Sequence, residues 1–204
     1  MSNDATITGA LALATQSSAA KLAELHTRLA AQAQREGSLD IAYRTVDSPV
    51  GPLLLAATER GLLRVAYARE DHDAVLQYLA DEVSPRILHA PERLDAAARE
   101  VGEYFARTRR TFDLPLDWQL TAGFRAAVLQ HLPDIGYGQT ASYAAVAVLS
   151  GSPKAVRAVG TACAKNPLPV VVPCHRVVRS DGSMGRYLGG EEAKRLLLDL
   201  EAAA

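Results

Sequence analysis

Apolar and polar positions follow two different periods along this chain, and the changes of period divide it. In "AAKLAELHTRLAAQAQRE", Leu22, Leu25 and Leu29 recur at helical spacing, and Gly37 follows as a stop. This predicts one amphipathic helix inside an N-terminal helical or flexible extension, residues 1–37. From 40 to 67 the period shortens. "DIAYRTVDSPVGPLLLAATERGLLRVAY" is rich in strand formers and broken at "SPVGP" and "TERG". It predicts three short antiparallel strands. Residues 72–83 and 91–107 return to helical spacing, with Ala97, Val101, Tyr104 and Phe105 on one stripe of the second segment. Residues 108–120 form a connector in which Pro115 breaks any helix.

The second half reads as mostly helical. "TAGFRAAVLQHL" predicts a helix, "PDIGYGQTA" a turn, and "SYAAVAVLSG" a short helix capped by Ser142. After Gly151, "SPKAVRAVGTACAKN" predicts another helix, with Ser152 as cap and Pro153 at its first position. Two short helices joined by a glycine turn make a helix-turn-helix. On the second, Val156, Val159 and Cys163 are expected inward, and Gly160 leaves room for a close neighbour. Lys154, Arg157, Thr161 and Lys165 fall on the opposite face. Pro167 and Pro169 then impose an extended path, and Val170–Val172 read as a buried strand carrying Cys174 inward. Pro173 opens a new turn. "GGEEAKRLLLDLEAAA" predicts a final helix buried along Leu196, Leu197 and Leu200. The expected class is α+β, with an α/β scaffold over 38–120 and a mainly helical region over 121–204.

Charge sharpens this division. The 204 residues are 49% hydrophobic with a net charge of −1, which suits a globular core and argues against general stickiness toward nucleic acid. The distribution is uneven. Residues 40–120 carry 10 basic and 14 acidic side chains, whereas 151–187 carry six Lys/Arg and one Asp. The basic excess therefore sits on the predicted helix-turn-helix and the segment after it. No apolar run is long enough for a membrane span. The first residues lack a basic stretch ahead of their apolar part, so they make a poor signal peptide. Two cysteines cannot build a disulfide framework. A reducing cytosol, where a thiol stays free, is the expected compartment.

Cys174 lies in Pro-Cys-His-Arg, and four roles compete for it. Zinc binding is poorly served, because Cys163, Cys174 and His175 contain no CxxC or HxxxH pair. A cysteine hydrolase needs a histidine touching the thiol. His175 is adjacent in sequence and would reach it only through a water, while His26, His72, His89 and His131 lie in no catalytic context. A small buried core residue and a nucleophile both remain open on local grounds. Cys163 has no such neighbours and reads as core.

"PCHRVV", preceded at matching spacing by "SPKAVRAVG" and "NPLPVVV", resembles the active-site signature of the O6-alkylguanine-DNA alkyltransferases, or methylated-DNA–protein-cysteine methyltransferases. The resemblance covers roughly 40–203 and is strongest over 135–201. It implies an N-terminal ribonuclease-H-like sheet, and DNA repair by direct damage reversal. The alkyl group of O6-alkylguanine passes irreversibly to Cys174, once per molecule, with O4-methylthymine as a further candidate substrate. His175 would take the thiol proton through a water, and Glu201 would orient His175. Lowering the thiol's pKa would raise its reactive fraction. Asn166 would tie the helix-turn-helix to the active-site loop. The resemblance further implies that Arg157 fills the gap left by an extruded base and Tyr143 helps turn the phosphate, beside Lys154, Thr161 and Lys165 on the DNA face. Tyr187, Val177, Leu188 and Arg186 would line the substrate pocket, with backbone groups of Cys174 and Val177 reading the guanine edge. Lys194 matches a lysine of structural or polarising role.

The implied partner is alkylated double-stranded DNA, bound by a monomer in the cytoplasm, at the nucleoid in a prokaryote. No cofactor, metal or membrane is expected. Arg186, Leu188 and Glu191 depart from the usual residues, which leaves substrate breadth open. Residues 1–37 have no counterpart in the minimal family and are a candidate handle for a partner. The alternative activity is lesion binding without transfer, against which the presence of Cys174 counts.

Overall fold

The computed structural model describes residues 21, 22 and 24–202. Strands form where the sequence alternates. β1 (Ile41–Val46), β2 (Leu53–Thr58) and β3 (Gly61–Tyr67) pair antiparallel in that order. A fourth strand, β4 (Ile87–His89), lies parallel to β1 and completes the order β3-β2-β1-β4. It escaped the sequence reading because three residues between Pro85 and Pro91 are too few to show a period. Gly61 sits at φ +139°, and a Cβ there would come within 2.2 Å of the Pro115 carbonyl. Only glycine allows this approach. The connector is thereby stitched to β3, with Leu62 N–H donating to Pro115 O at 2.8 Å.

The two-residue period sends the faces of β2 in opposite directions. Leu54 and Ala56 meet Val75 and Leu79 of α2 (His72–Glu82). Leu53, Leu55 and Ala57 meet the larger core, which holds Ala97, Val101 and Tyr104 of α3 (Asp95–Phe105). That core is continuous with the second half, through Val128, Val159, Val172 and Cys174. Each fully buried leucine here stabilises the fold by about 2 kcal/mol.

Before the sheet, residues 24–35 form α1. Its end has the expected glycine stop. Gly37 is at φ +63°, Gly37 N–H donates to Gln34 O, and Ser38 N–H donates to Ala33 O. The buried side differs from the leucine stripe. Ala30 and Ala33 are buried, whereas Leu22, Leu25 and Leu29 are 51–57% exposed. Small side chains let the helix backbone approach the body closely, and the leucines turn outward. Residues 1–20, the earlier part of the expected extension, lie outside the described residues.

The second half holds α4 (Gly123–His131), α5 (Tyr143–Leu149), α6 (Val156–Ala164) and α7 (Glu191–Ala202). A short parallel pair joins β5 (Ala141–Ser142) to β6 (Val177–Val178). Ser142 caps α5, its hydroxyl accepting from Ala145 N–H at 3.0 Å. The next helix begins later than its sequence signals imply. Ser152–Ala155 close a turn, with Ala155 N–H donating to Ser152 O at 2.8 Å, and Ala155 caps α6 without a side-chain bond. The delayed start leaves Val156 37% exposed, so Val159, Ala162 and Cys163 form the inward face. Val170–Val172 are buried but form a turn, not a strand. Val172 N–H donates to Leu168 O, and Val170 takes φ +73°, a strained value for a β-branched residue. No helix among the described residues is long and apolar enough to cross a membrane.

Candidate active site

The turn after α6 is built around one amide. Asn166 is fully buried, and its Oδ1 accepts from Leu168 N–H at 3.0 Å. Its Nδ2 donates to Val172 O at 2.8 Å and to Cys174 Sγ at 3.2 Å. These bonds hold the strained Val170 turn and fix the thiol at the start of a 3-10 turn, Cys174–Arg176. Cys174 is 2% exposed. Burial pushes its thiol up to about 11, against the Asn166 hydrogen bond and the nearby Lys194 charge. The resting group is therefore a thiol, its pKa raised rather than lowered, and it needs a base to take its proton.

His175 points from the same turn into a fully buried network. Its Nε2 lies 2.9 Å from Glu201 Oε1, at the end of α7. Its Nδ1 is buried with no hydrogen-bond partner among the described residues. Burial pulls the imidazole below its ordinary pKa, the Glu201 hydrogen bond acting the other way. A neutral ring donating from Nε2 to Glu201 leaves Nδ1 as a free acceptor.

Glu201 is the centre of this network. Burial alone would push its carboxyl up, but hydrogen bonds from His175 and Arg176 outweigh burial and hold it well below the usual carboxylate range. Arg176 binds it with Nε to Oε2 at 2.9 Å and Nη2 to Oε1 at 3.0 Å. Gly138 N–H donates to Oε2 at 3.1 Å, and Tyr104 Oη donates to Oε1 at 2.7 Å.

The loop before α7 closes over this centre. Tyr187 sets its ring edge-on to His175, with centroids 6.3 Å apart, and its hydroxyl meets that of Tyr67 at 2.7 Å. Tyr67 ends β3, and its ring fills the space where a Cβ on Gly189 would lie, 2.6 Å away. A Gly189→Ala substitution is expected to push Tyr67 and Tyr187 apart. It should destabilise the protein by about 1–3 kcal/mol, read as a lower midpoint in urea. Tyr143 lies against Gly185 of the same loop, where a Cβ would meet its hydroxyl. Lys194 is fully buried and donates to Val177 O at 2.6 Å.

The structure thus gathers Cys174, His175, Glu201, Asn166, Val177 and Tyr187, with Tyr143 touching the pocket loop. Lys154, Arg157, Thr161 and Lys165 are all exposed, on α6 and at its two ends. Leu188 is half-buried and shares a cleft of about 280 Å³ with Arg64, Arg125 and Lys165, whereas Arg186 is exposed.

Comparison with known proteins matches both halves. A family model described as the ribonuclease-like domain of 6-O-methylguanine DNA methyltransferase matches residues 41–118, and the DNA-binding domain of the same protein matches 123–203. The constitutive methylated-DNA–protein-cysteine methyltransferase of Bacillus subtilis is 39% identical over 163 residues, 78% of this chain and 94% of the relative. This chain belongs to the methylated-DNA–protein-cysteine methyltransferase family. The O6-methylguanine methyltransferase of Mycobacterium tuberculosis superposes with a TM-score of 0.71 at 35% identity, covering 80% of this chain and 93% of that one. The OGT protein of the same organism, solved in complex with DNA, gives 0.69 at 34% identity, covering 79% and 93%.

Within this methyltransferase, sequence reasoning missed two contributors to the site. Tyr104 was visible only as part of an apolar helix stripe, and Tyr67 only as the end of a strand. Both reach the site across the junction of the two halves, at separations of 97 and 120 residues from their partners. A polar hydroxyl on an otherwise apolar stripe was the one available signal. Arg176 stood in the signature without a role, and the structure pairs it with Glu201.

Proposed function

We propose that this methyltransferase repairs DNA by moving the alkyl group from O6 of guanine in a duplex to Cys174 Sγ, once per molecule. The observation that carries this reading is the buried Cys174 thiol beside a neutral histidine held by a carboxylate, in the half that bears a basic helix-turn-helix. As the Sγ–carbon bond forms, the carbon–O6 bond breaks and its electron pair returns to the base, which regains its keto oxygen after taking up a proton. The thiol proton passes through one water to His175 Nδ1, and Glu201 stabilises the resulting imidazolium. A soft sulfur nucleophile suits attack at an alkyl carbon. The resulting thioether has no route back to a thiol within the site.

A thiol this deeply buried cannot meet a stacked base, so the nucleotide must be extruded from the duplex. Arg157 is assigned to fill the gap and Tyr143 to turn the phosphate, while Lys154, Thr161 and Lys165 bind the backbone. Tyr187, Val177, Leu188 and Arg186 are assigned to line the receiving pocket. The partner is alkylated double-stranded DNA and the acting species a monomer in the cytoplasm. Cys174→Ala tests the assignment in a gel-shift and transfer assay. Lesion-containing duplex should still bind, and alkyl uptake should fall to zero. Uptake that persists in the variant would contradict it.

A further inference from the structure

Tyr104 is fully buried on α3, in the half that carries no part of the signature. Its hydroxyl lies 2.7 Å from Glu201 Oε1 and 3.5 Å from His175 Nε2. The hydroxyl has one proton, and the shorter contact takes it. Oε1 thus accepts from Tyr104, from His175 and from Arg176, three donors on one oxygen. Each further donor to a carboxylate lowers the negative charge available to the others.

We propose that Tyr104 is a positioning residue for the alkyl transfer: its hydroxyl holds Glu201 in register with His175 and limits the charge that Glu201 offers to the imidazole. This rests on the reading that His175 takes the thiol proton. A base must accept that proton and yet be neutral beforehand. An unrestrained buried carboxylate would favour imidazolium at rest, and a proton already on Nδ1 would block transfer. The first half of the chain, which reads as scaffold, therefore sets the proton affinity of a group in the second half. The surroundings of His175 support a specific role for one hydroxyl. Glu201 and Lys194 face it from α7, Arg176 from its own turn, and the Tyr187 ring from the loop before α7. Tyr137 approaches Arg176 and Tyr104 from the α4–α5 connection. Among these, Tyr104 is the neutral donor that contacts Glu201 and His175 together.

Tyr104→Phe keeps the ring contacts with Phe105, Phe112 and Tyr137 and removes only the hydroxyl. Two quantities are followed against pH in the full chain: the transfer rate from a duplex carrying O6-methylguanine, and the His175 imidazole signal by nitrogen NMR. With one donor gone, Glu201 attracts the imidazolium more strongly. The acid limb of the rate and the imidazole titration should both move up by about one pH unit, the size of one hydrogen bond to a charged group. A hydroxyl that served packing alone would lower the rate by one factor at every pH and leave the titration unmoved, which overturns the proposal. Site-specific 3-fluorotyrosine at position 104, a stronger donor of the same shape, should move both quantities down, and provides the test if the phenylalanine variant does not fold. Failure of the wild type to transfer at any pH would contradict the proposed function instead. The imidazole titration would still judge Tyr104.

Discussion

Glu201→Gln is expected to lower stability by about 3–5 kcal/mol and slow alkyl transfer at least about 100-fold. The substitution keeps the shape and removes the charge. Arg176 is buried, its guanidinium held between Glu201 and the Ile135 carbonyl, and it would be left without a counter-ion. Removing one partner of a buried pair is more costly than the pair's net worth, because the other charge stays desolvated. A fall in melting temperature on the order of 10 °C follows for a chain of this size. Transfer suffers separately, since His175 loses the anion that stabilises its protonated form. The stability loss depends on pH in a defined direction. The Glu201 carboxyl is held below its ordinary value in the fold, so its contribution is fully present above about pH 5. It fades as the pH falls toward the lowered value. The gap between wild type and variant should therefore narrow between pH 7 and pH 3, and a gap that widened would contradict the assignment of Glu201 as an anion.

Arg157→Ala is expected to separate two activities. Arg157 is exposed on α6, while Cys174 is buried behind Asn166 and the Val170 turn. Removing an exposed side chain leaves stability within about 0.5 kcal/mol. Repair of O6-methylguanine in duplex DNA should fall on the order of tenfold or more, because the extruded state would lose the group proposed to replace the missing base. Reaction with free O6-benzylguanine, which needs no extrusion, should be unchanged. Equal losses on both substrates would remove the gap-filling role.

These predictions draw on features of unequal visibility in the sequence. The three strands and the Tyr104 stripe were legible because period-2 and period-3.6 patterns survive in isolation. Boundaries governed by turns were not. Ser152 and Pro153 are good helix starters, yet Gly151 and the Ser152–Ala155 turn delay α6 to Val156. The apolar run Val170–Val172 had no period to distinguish strand from turn, and the hydrogen bonds of Asn166 decided it. Leu22, Leu25 and Leu29 marked a helix but not its buried side, because close approach favoured Ala30 and Ala33. Cys174, His175 and Glu201 could be paired by the spacing of a family signature. The contributions of Tyr104 and Tyr67 exist only through tertiary contact across the two halves, which no local pattern encodes.

The central claim is that Cys174 is a single-use alkyl acceptor, and peptide mass spectrometry tests it most directly. The protein is incubated with excess duplex carrying one O6-methylguanine, then digested and sequenced by fragmentation. The account predicts one added methyl group, on Cys174 alone, at no more than one per chain, with Cys163 unmodified. An unchanged Cys174 peptide under excess substrate, or a methyl group found on another residue, would contradict it.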